Sequence, residues 1–249
     1  MELEISDAHA HLNEISDLDC QIIEAKKKNV HYIVGVGMEI ESNEKILKIA
    51  NSHENVLPAI GYHPWVISYE KVHENLNYLR QNALKVCAIG EVGLDYKVKT
   101  PKELQKKVFE EILQIASEYK KPLIIHARYS HKTCLKMVKD SGITAAIFHW
   151  YSGPKDLLDE IIMCNYYISV TPALAYSPPH REAASYAPLE HILLETDAPV
   201  EYRGKESRIV DVWESLKFLS EIKGLPLEEV ARVTSLNFKK VFGILEEKI

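Results

Sequence analysis

The sequence predicts an α/β protein built as a (β/α)₈ TIM barrel, and three observations predict it. Eight short β-branched or apolar runs alternate with segments of helical period along 249 residues. No Ser/Gly-rich linker interrupts the alternation, so the chain reads as a single domain over residues 1–249. Eight strand–helix repeats in about 250 residues is also the arithmetic of a closed eight-stranded barrel. A doubly wound open sheet would show the same alternation, because periodicity identifies elements and not their closure.

The first strand is expected in EISDAHAH (4–11), followed by an amphipathic helix over 18–29. VHYIVGVG (30–37) and NVLPAIGYH (55–63) are the next strands, separated by a helix over 44–53, and a helix over 76–84 leads to KVCAIGEV (85–92). A long helix over 101–120 precedes PLIIHA (122–127), and helices over 131–142 and 154–165 flank ITAAIFHW (143–150). YYISVTP (166–172) and HILLETDA (191–198) complete the strands, and helices over 210–224 and 227–243 end the pattern. In each helix the apolar residues recur every three or four positions. Pro101 and Pro154 sit where a first-turn proline belongs, and Gly142 and Gly224 where a C-terminal cap belongs.

Composition narrows the function classes. A net charge of -6 argues against a generally basic nucleic-acid coat protein, leaving polyanions to bind only locally. Cys20, Cys87, Cys134 and Cys164 have no CxxC or CxH spacing, so neither a zinc knuckle nor a disulfide framework is expected, and they read as reduced, mostly buried thiols. The acidic first twenty residues do not resemble a secretory signal. No stretch approaches the roughly 18 apolar residues of a membrane span. A cytoplasmic protein is expected, with no membrane association and no segment that marks an obligate protein partner.

Ionisable residues gather at the strand ends. The first strand ends in His9 and His11, the third runs into His63, and the fourth ends in Glu91. The fifth ends in His126, the sixth in His149 and the eighth in Asp197, and in a barrel all these ends converge on one mouth. Strict alternation would also put Asp7 on the face of His9 and His11. Apolar strands that confine their ionisable groups to one end point to a site, because such groups are expensive to bury. Imidazole and carboxylate without thiolate suit Zn, Mn, Fe, Co or a partly hydrated Mg ion. Four imidazoles with one Glu and one Asp exceed what a single tetrahedral ion uses, so two divalent ions sharing a carboxylate are expected. His31, His53, His73, His131, His180 and His191 lie away from that mouth and read as structural.

Taken together, DAHAHL, GYHP, AIGEVGLDY, PLIIHAR, HWYSG and LLETDAP resemble the TatD family of metal-dependent hydrolases, a branch of the amidohydrolase superfamily. The resemblance runs from residue 7 to about 204, and TSLNFKKVFG is similar to the family's closing helix. It implies a TIM barrel, a two-metal centre and hydrolysis, typically of phosphodiester bonds from the 3′ end of DNA. By position it implies His9 and His11 as ligands of one ion, His126 and His149 as ligands of the other, and Glu91 between them. Asp197 would be a ligand that also orients the attacking water and takes its proton, and His63 a phosphate contact or acid. Asp7 would support the first-strand ligands from behind. Arg128 and Arg203 match phosphate contacts. The family commonly follows that first arginine with Asp, where this chain has Tyr129. The loops after the seventh and eighth strands depart further, through TPALAYSPPHRE, Val200 and ESRIVD.

Three functions follow from these residues. The leading one is a deoxyribonuclease acting as a 3′–5′ exonuclease on single-stranded or frayed DNA ends. A second keeps the metals and changes the bond to an ester or amide, such as the ester of a D-aminoacyl-tRNA. The third, a barrel that binds metal or nucleic acid without turnover, is disfavoured because no candidate ligand has been replaced.

Overall fold

The structure, a computed structural model, describes residues 3–244. Its eight parallel strands are β1 (Ile5–Ala10), β2 (Val30–Val36), β3 (Val56–Ile60), β4 (Ala88–Asp95), β5 (Leu123–Arg128), β6 (Ala146–Phe148), β7 (Tyr167–Val170) and β8 (Ile192–Leu194). They pair in sequence order from β1 to β8. The seam between β8 and β1 is closed just beyond β8, where Ala10 bridges Ala198. There the His11 N–H donates to the Ala198 carbonyl at 2.7 Å and the Asp197 N–H to the His9 carbonyl at 2.9 Å. The open-sheet alternative is therefore excluded, and the closing bonds are made by the backbone of candidate site residues.

Helices α1 (Leu18–Lys27), α2 (Ile40–Ser52), α3 (Val72–Asn82), α4 (Lys102–Glu118), α5 (His131–Asp140) and α6 (Lys155–Met163) follow the first six strands. In α4 the residues Leu104, Val108, Phe109, Ile112, Ile115 and Ala116 are buried, so the stripe seen in the sequence is the face laid on the barrel. α7 (Pro178–Tyr186) follows β7, and α8 (Val212–Lys223) and α9 (Leu227–Phe242) follow β8. Gly224 and Gly243 end α8 and α9 in the left-handed conformation, as C-terminal caps do. Pro101 and Pro154 stand one position before the expected first turn, as the capping residues of α4 and α6.

Inside the barrel, Ala8, Val34, Ala59, Ala88, Ile124, Ile147, Tyr167 and Leu193, one from each strand, form a continuous buried layer. Phe238 and Phe242 of α9 join this layer and close one end of the barrel, leaving the other end open for the site.

Several expectations need correction. The segment after β7 contains α7, and after β8 a short hairpin of β9 (Glu201–Tyr202) and β10 (Lys205–Glu206) appears. Neither has an apolar period of its own to announce it. The four cysteines are free, as expected, but only Cys134 is buried, and Cys20 is exposed. Asp7, His9 and His11 do not share a face. The pairing of β1 with β2 runs Asp7 to Ile33 and Ala10 to Gly35, so three steps on β1 match two on β2. That extra residue is a β-bulge, which reverses the alternation between Asp7 and His9. Among the described residues, no helix is long and apolar enough to cross a membrane.

Candidate metal centre

A bulge presents each of two central side chains. Besides the one in β1 at His9, β4 pairs Ile89 with Leu123 and Val92 with Ile125, so an extra residue lies in the Gly90–Glu91 segment. Bulges re-aim side chains next to active sites, and here they turn His9 and Glu91 into the open end of the barrel. Glycines make room for this backbone. A Cβ on Gly61 of GYHP would lie 2.3 Å from the Glu91 carbonyl oxygen, and one on Gly93 2.1 Å from that of His126. Asp7, turned to the other face, holds the bulge: its Oδ1 accepts the N–H groups of His9 (3.2 Å) and Thr196 (2.9 Å), and Oδ2 accepts the Thr196 hydroxyl. It thus ties the end of β1 to the segment after β8, and its supporting role is exerted through the backbone.

The Nε2 atoms of His9 and His11 stand 3.4 Å apart. Each is 3.5 Å from Glu91 Oε2 and 3.4 Å from Asp197 Oδ1. Donors about 2.0–2.1 Å from a shared tetrahedral ion are separated by about 3.3–3.4 Å, so these spacings are close to those a divalent cation requires. Asp197 Oδ1 is buried without a hydrogen-bond partner. An orphaned carboxylate oxygen facing two imidazole nitrogens is a costly arrangement unless a cation completes it. The residues present therefore fit a divalent metal.

The other oxygen of Glu91 faces a different set. Oε1 is 2.8 Å from His126 Nδ1, 2.9 Å from His149 Nε2 and 3.3 Å from His63 Nε2. The far nitrogen of each ring decides what the near one offers. His126 Nε2 lies 3.1 Å from Asp95 Oδ2, which fixes its proton there and leaves the Nδ1 lone pair facing the centre. His63 is the reverse case: its Nδ1 accepts the Trp65 N–H at 3.2 Å, so the neutral ring carries its proton on Nε2 and points a donor inward. Although His63 falls geometrically with Glu91 and His126, this tautomer makes it a hydrogen-bond donor and not a ligand.

The charges agree with this division. Burial opposes ionisation of Glu91, yet the surrounding His63, His149 and His9 hold it well below the usual carboxylate range. Asp197 is lowered too, burial being outweighed chiefly by His11. Burial works against a charged His11, but Asp197 and Glu91 push it up to about 9. His149 and His126 rise against burial for the same kind of reason, through Glu91 with Glu195 and through Asp95 with Glu91. The carboxylates thus favour positive charge at three imidazoles, and the same field favours a divalent cation. His63 goes the other way, to about 4, because burial dominates.

A cavity of about 510 Å³ opens over these groups and is bordered by His11, His63, Trp65, Arg128, Trp150 and Asp197. Arg128 is exposed and has no ion pair among the described residues. Arg203 is not brought to the cavity wall: at the tip of the β9–β10 hairpin its guanidinium stacks over Tyr176 at 4.7 Å. Sequence reasoning missed Glu195, whose Oε1 accepts the Trp150 N–H at 2.8 Å and lies 3.4 Å from His149 Nδ1. It also missed Asp95 and Trp65, joined by the indole N–H at 2.7 Å from Asp95 Oδ2. The signal was present in LLETDAP and AIGEVGLDY, where a second carboxylate stands two or four residues from the one chosen. His180 lies away from the mouth, buried between the Thr171 N–H and the Tyr151 carbonyl.

A barrel with imidazole and carboxylate donors gathered at one open end defines the class of metal-dependent hydrolases. The model of the TatD related DNase family matches residues 6–243, and the chain belongs to this family. The uncharacterised metal-dependent hydrolase YabD of Bacillus subtilis is 33% identical over 254 residues, covering 96% of this chain and 98% of YabD. The mouse protein TATDN3, described as a candidate deoxyribonuclease, is 28% identical, with 99% of this chain and 90% of the mouse protein covered. The crystal structure of YjjV, a TatD homologue from Escherichia coli K12, superposes with a TM-score of 0.89 at 25% identity, covering 98% of this chain and all of that one.

Proposed function

We propose that this protein hydrolyses phosphodiester bonds and removes nucleotides from the 3′ ends of single-stranded or frayed DNA. The observation that carries the reading is the division of Glu91, one oxygen toward His9 and His11 and the other toward His126 and His149. Such a carboxylate suits a bridge between two divalent ions, Zn, Mg or Mn, with Asp197 completing the first set of ligands. When bound, such ions supply Lewis acidity toward phosphoryl oxygens and lower the pKa of water. The family's description and the name of the mouse relative support DNA as substrate.

The protein's own groups then have separable tasks. Asp197, held ionised chiefly by His11 against burial, takes the proton of the attacking water. His63, neutral with its proton on Nε2, donates to a phosphate oxygen or to the leaving oxygen. Arg128, free at the rim, meets phosphate charge. Asp95 and Trp65 keep His126 in the tautomer that aims its lone pair inward.

A 5′-labelled single-stranded oligonucleotide incubated with Mg²⁺, Mn²⁺ or Zn²⁺ should shorten stepwise from its 3′ end and stop shortening on addition of a chelator. Ions held by the same residues would polarise a carbonyl as well, so a D-aminoacyl-tRNA belongs in the same experiment. Deacylation without 3′ shortening in any metal would replace the phosphodiester reading with the ester one.

A further inference from the structure

Beside the mouth lies a second, more open cavity of about 590 Å³, between the segments that follow β5 and β6. Arg128 and Ser152 border both cavities, so the two adjoin. Its wall includes Arg128, Tyr129 and Lys132, and among the described residues no aspartate or glutamate lines it. In a chain with 36 acidic and 30 basic residues, a cleft free of carboxylates next to a phosphate-handling site is a local reversal of charge. Neither Arg128 nor Lys132 makes an ion pair among the described residues, so both heads are available to a ligand.

Tyr129 is the unusual residue of this cleft. The residue is 72% exposed although it borders a cavity, and its backbone has φ +54, a region that non-glycine residues seldom occupy. A large aromatic side chain held outward on an unfavourable backbone has no packing role to explain it, and such outliers collect at ligand sites.

We propose that this cleft is a nucleotide subsite for the residue of a single-stranded nucleic acid next to the scissile bond, with Tyr129 stacking on its base and Lys132 holding its outer phosphate. The inference rests on the phosphodiester reading above and adds to it the recognition of more than one nucleotide. Every base offers a π-face, so a Tyr platform takes an unpaired base without regard to sequence. A paired base is already stacked within its duplex, so the subsite selects single strands.

The test measures binding of a labelled tetrathymidylate to the full-length protein by fluorescence anisotropy, in chelator so that no turnover occurs. Tyr129→Ala should weaken binding at least fivefold, the lower end of what loss of one base stack produces, and Tyr129→Phe should restore it. Tyr129→Gly is the control for folding, because glycine relieves the positive φ; it should be at least as heat-stable as the wild type and yet bind as weakly as the Ala variant. Lys132→Gln should lower the slope of log affinity against log salt by about 1. An abasic tetramer should bind weakly and show no dependence on Tyr129. Equal affinity of wild type and Tyr129→Gly, or an equal loss with the abasic strand, overturns the subsite. Hydrolysis of bis(p-nitrophenyl) phosphate in Mn²⁺, followed in parallel, separates this from the phosphodiester reading. Turnover with Tyr129-independent binding removes only the subsite, and Tyr129-dependent binding without turnover supports the subsite and removes only the reading.

Discussion

At the scale of single residues, the site distinguishes two of its central histidines by tautomer. His126 and His63 both approach the same oxygen of Glu91, yet Asp95 holds a proton on the far nitrogen of one and the Trp65 N–H keeps a proton off the far nitrogen of the other. Composition and spacing identify an imidazole but not which nitrogen is protonated, and for that reason Asp95 and Trp65 escaped a reading that found the histidines themselves. On the proposed function, Asp197 is the residue on which the chemistry would depend most directly. Replacing it with Asn keeps shape and one oxygen donor but removes the base, and general-base catalysis contributes about 10²–10⁴-fold. Asp197→Asn should therefore lower kcat by at least 10²-fold while bound metal, measured by mass spectrometry of the desalted protein, stays at the wild-type level. A kcat within tenfold of wild type would remove Asp197 from the role of base.

At the scale of elements, all eight strands were legible because each is a short apolar run bounded by polar helical segments, and the barrel buries most of each run. The starts of α2 and α3 lie four residues before the expected ones, at Ile40 and Val72, because their first turns carry little of the apolar period. The bulges were illegible to an argument from alternation, since an inserted residue leaves composition unchanged and alters only phase. Gly90 and Gly93 around Glu91 were the available hint, glycine within a strand being a common mark of a bulge. Asp7 gives this level its test. It is completely buried, and burial pushes it up to about 8, so it is favoured as a neutral acid at pH 7 while still accepting from His9 and Thr196. Asp7→Asn, which keeps a neutral acceptor, should leave the denaturation midpoint and metal content nearly unchanged. Asp7→Ala leaves the buried N–H groups of His9 and Thr196 without acceptors and should cost about 2–4 kcal/mol, with loss of metal from the displaced His9. Equal damage by the two substitutions would show that charge, and not hydrogen bonding across the β1 to β8 seam, is what Asp7 provides.

At the scale of the whole molecule, these residues couple stability to pH, and a bound divalent ion would offset that coupling. Without metal, His11 is held up to about 9 by Asp197 and Glu91, above its ordinary 6.5, and His126 and His149 are raised as well. A group whose folded pKa is raised stabilises the fold fully below its unfolded value and loses that contribution as pH rises through the folded one. Asp7, raised by burial from 3.8 to about 8, acts in the same direction, its contribution being lost as pH rises from 3.8 to about 8, which overlaps the lower part of the histidine range. Glu91 and Asp197 are lowered, so their contribution is complete well below pH 6.5 and adds no slope above it. His63, lowered to about 4, acts only below 6.5, where it opposes the others by destabilising the acid side. The Tm of the chelated protein should accordingly decline between pH 6.5 and 9. A divalent ion needs its imidazoles deprotonated, so its affinity rises across that interval, and the Tm gained at a fixed excess of Mg²⁺ or Mn²⁺ should grow with pH. Thermal scans at four or five pH values, with and without metal, measure both slopes. Parallel curves would mean that no proton leaves these imidazoles when metal enters, and would place the ion away from His11, His126 and His149.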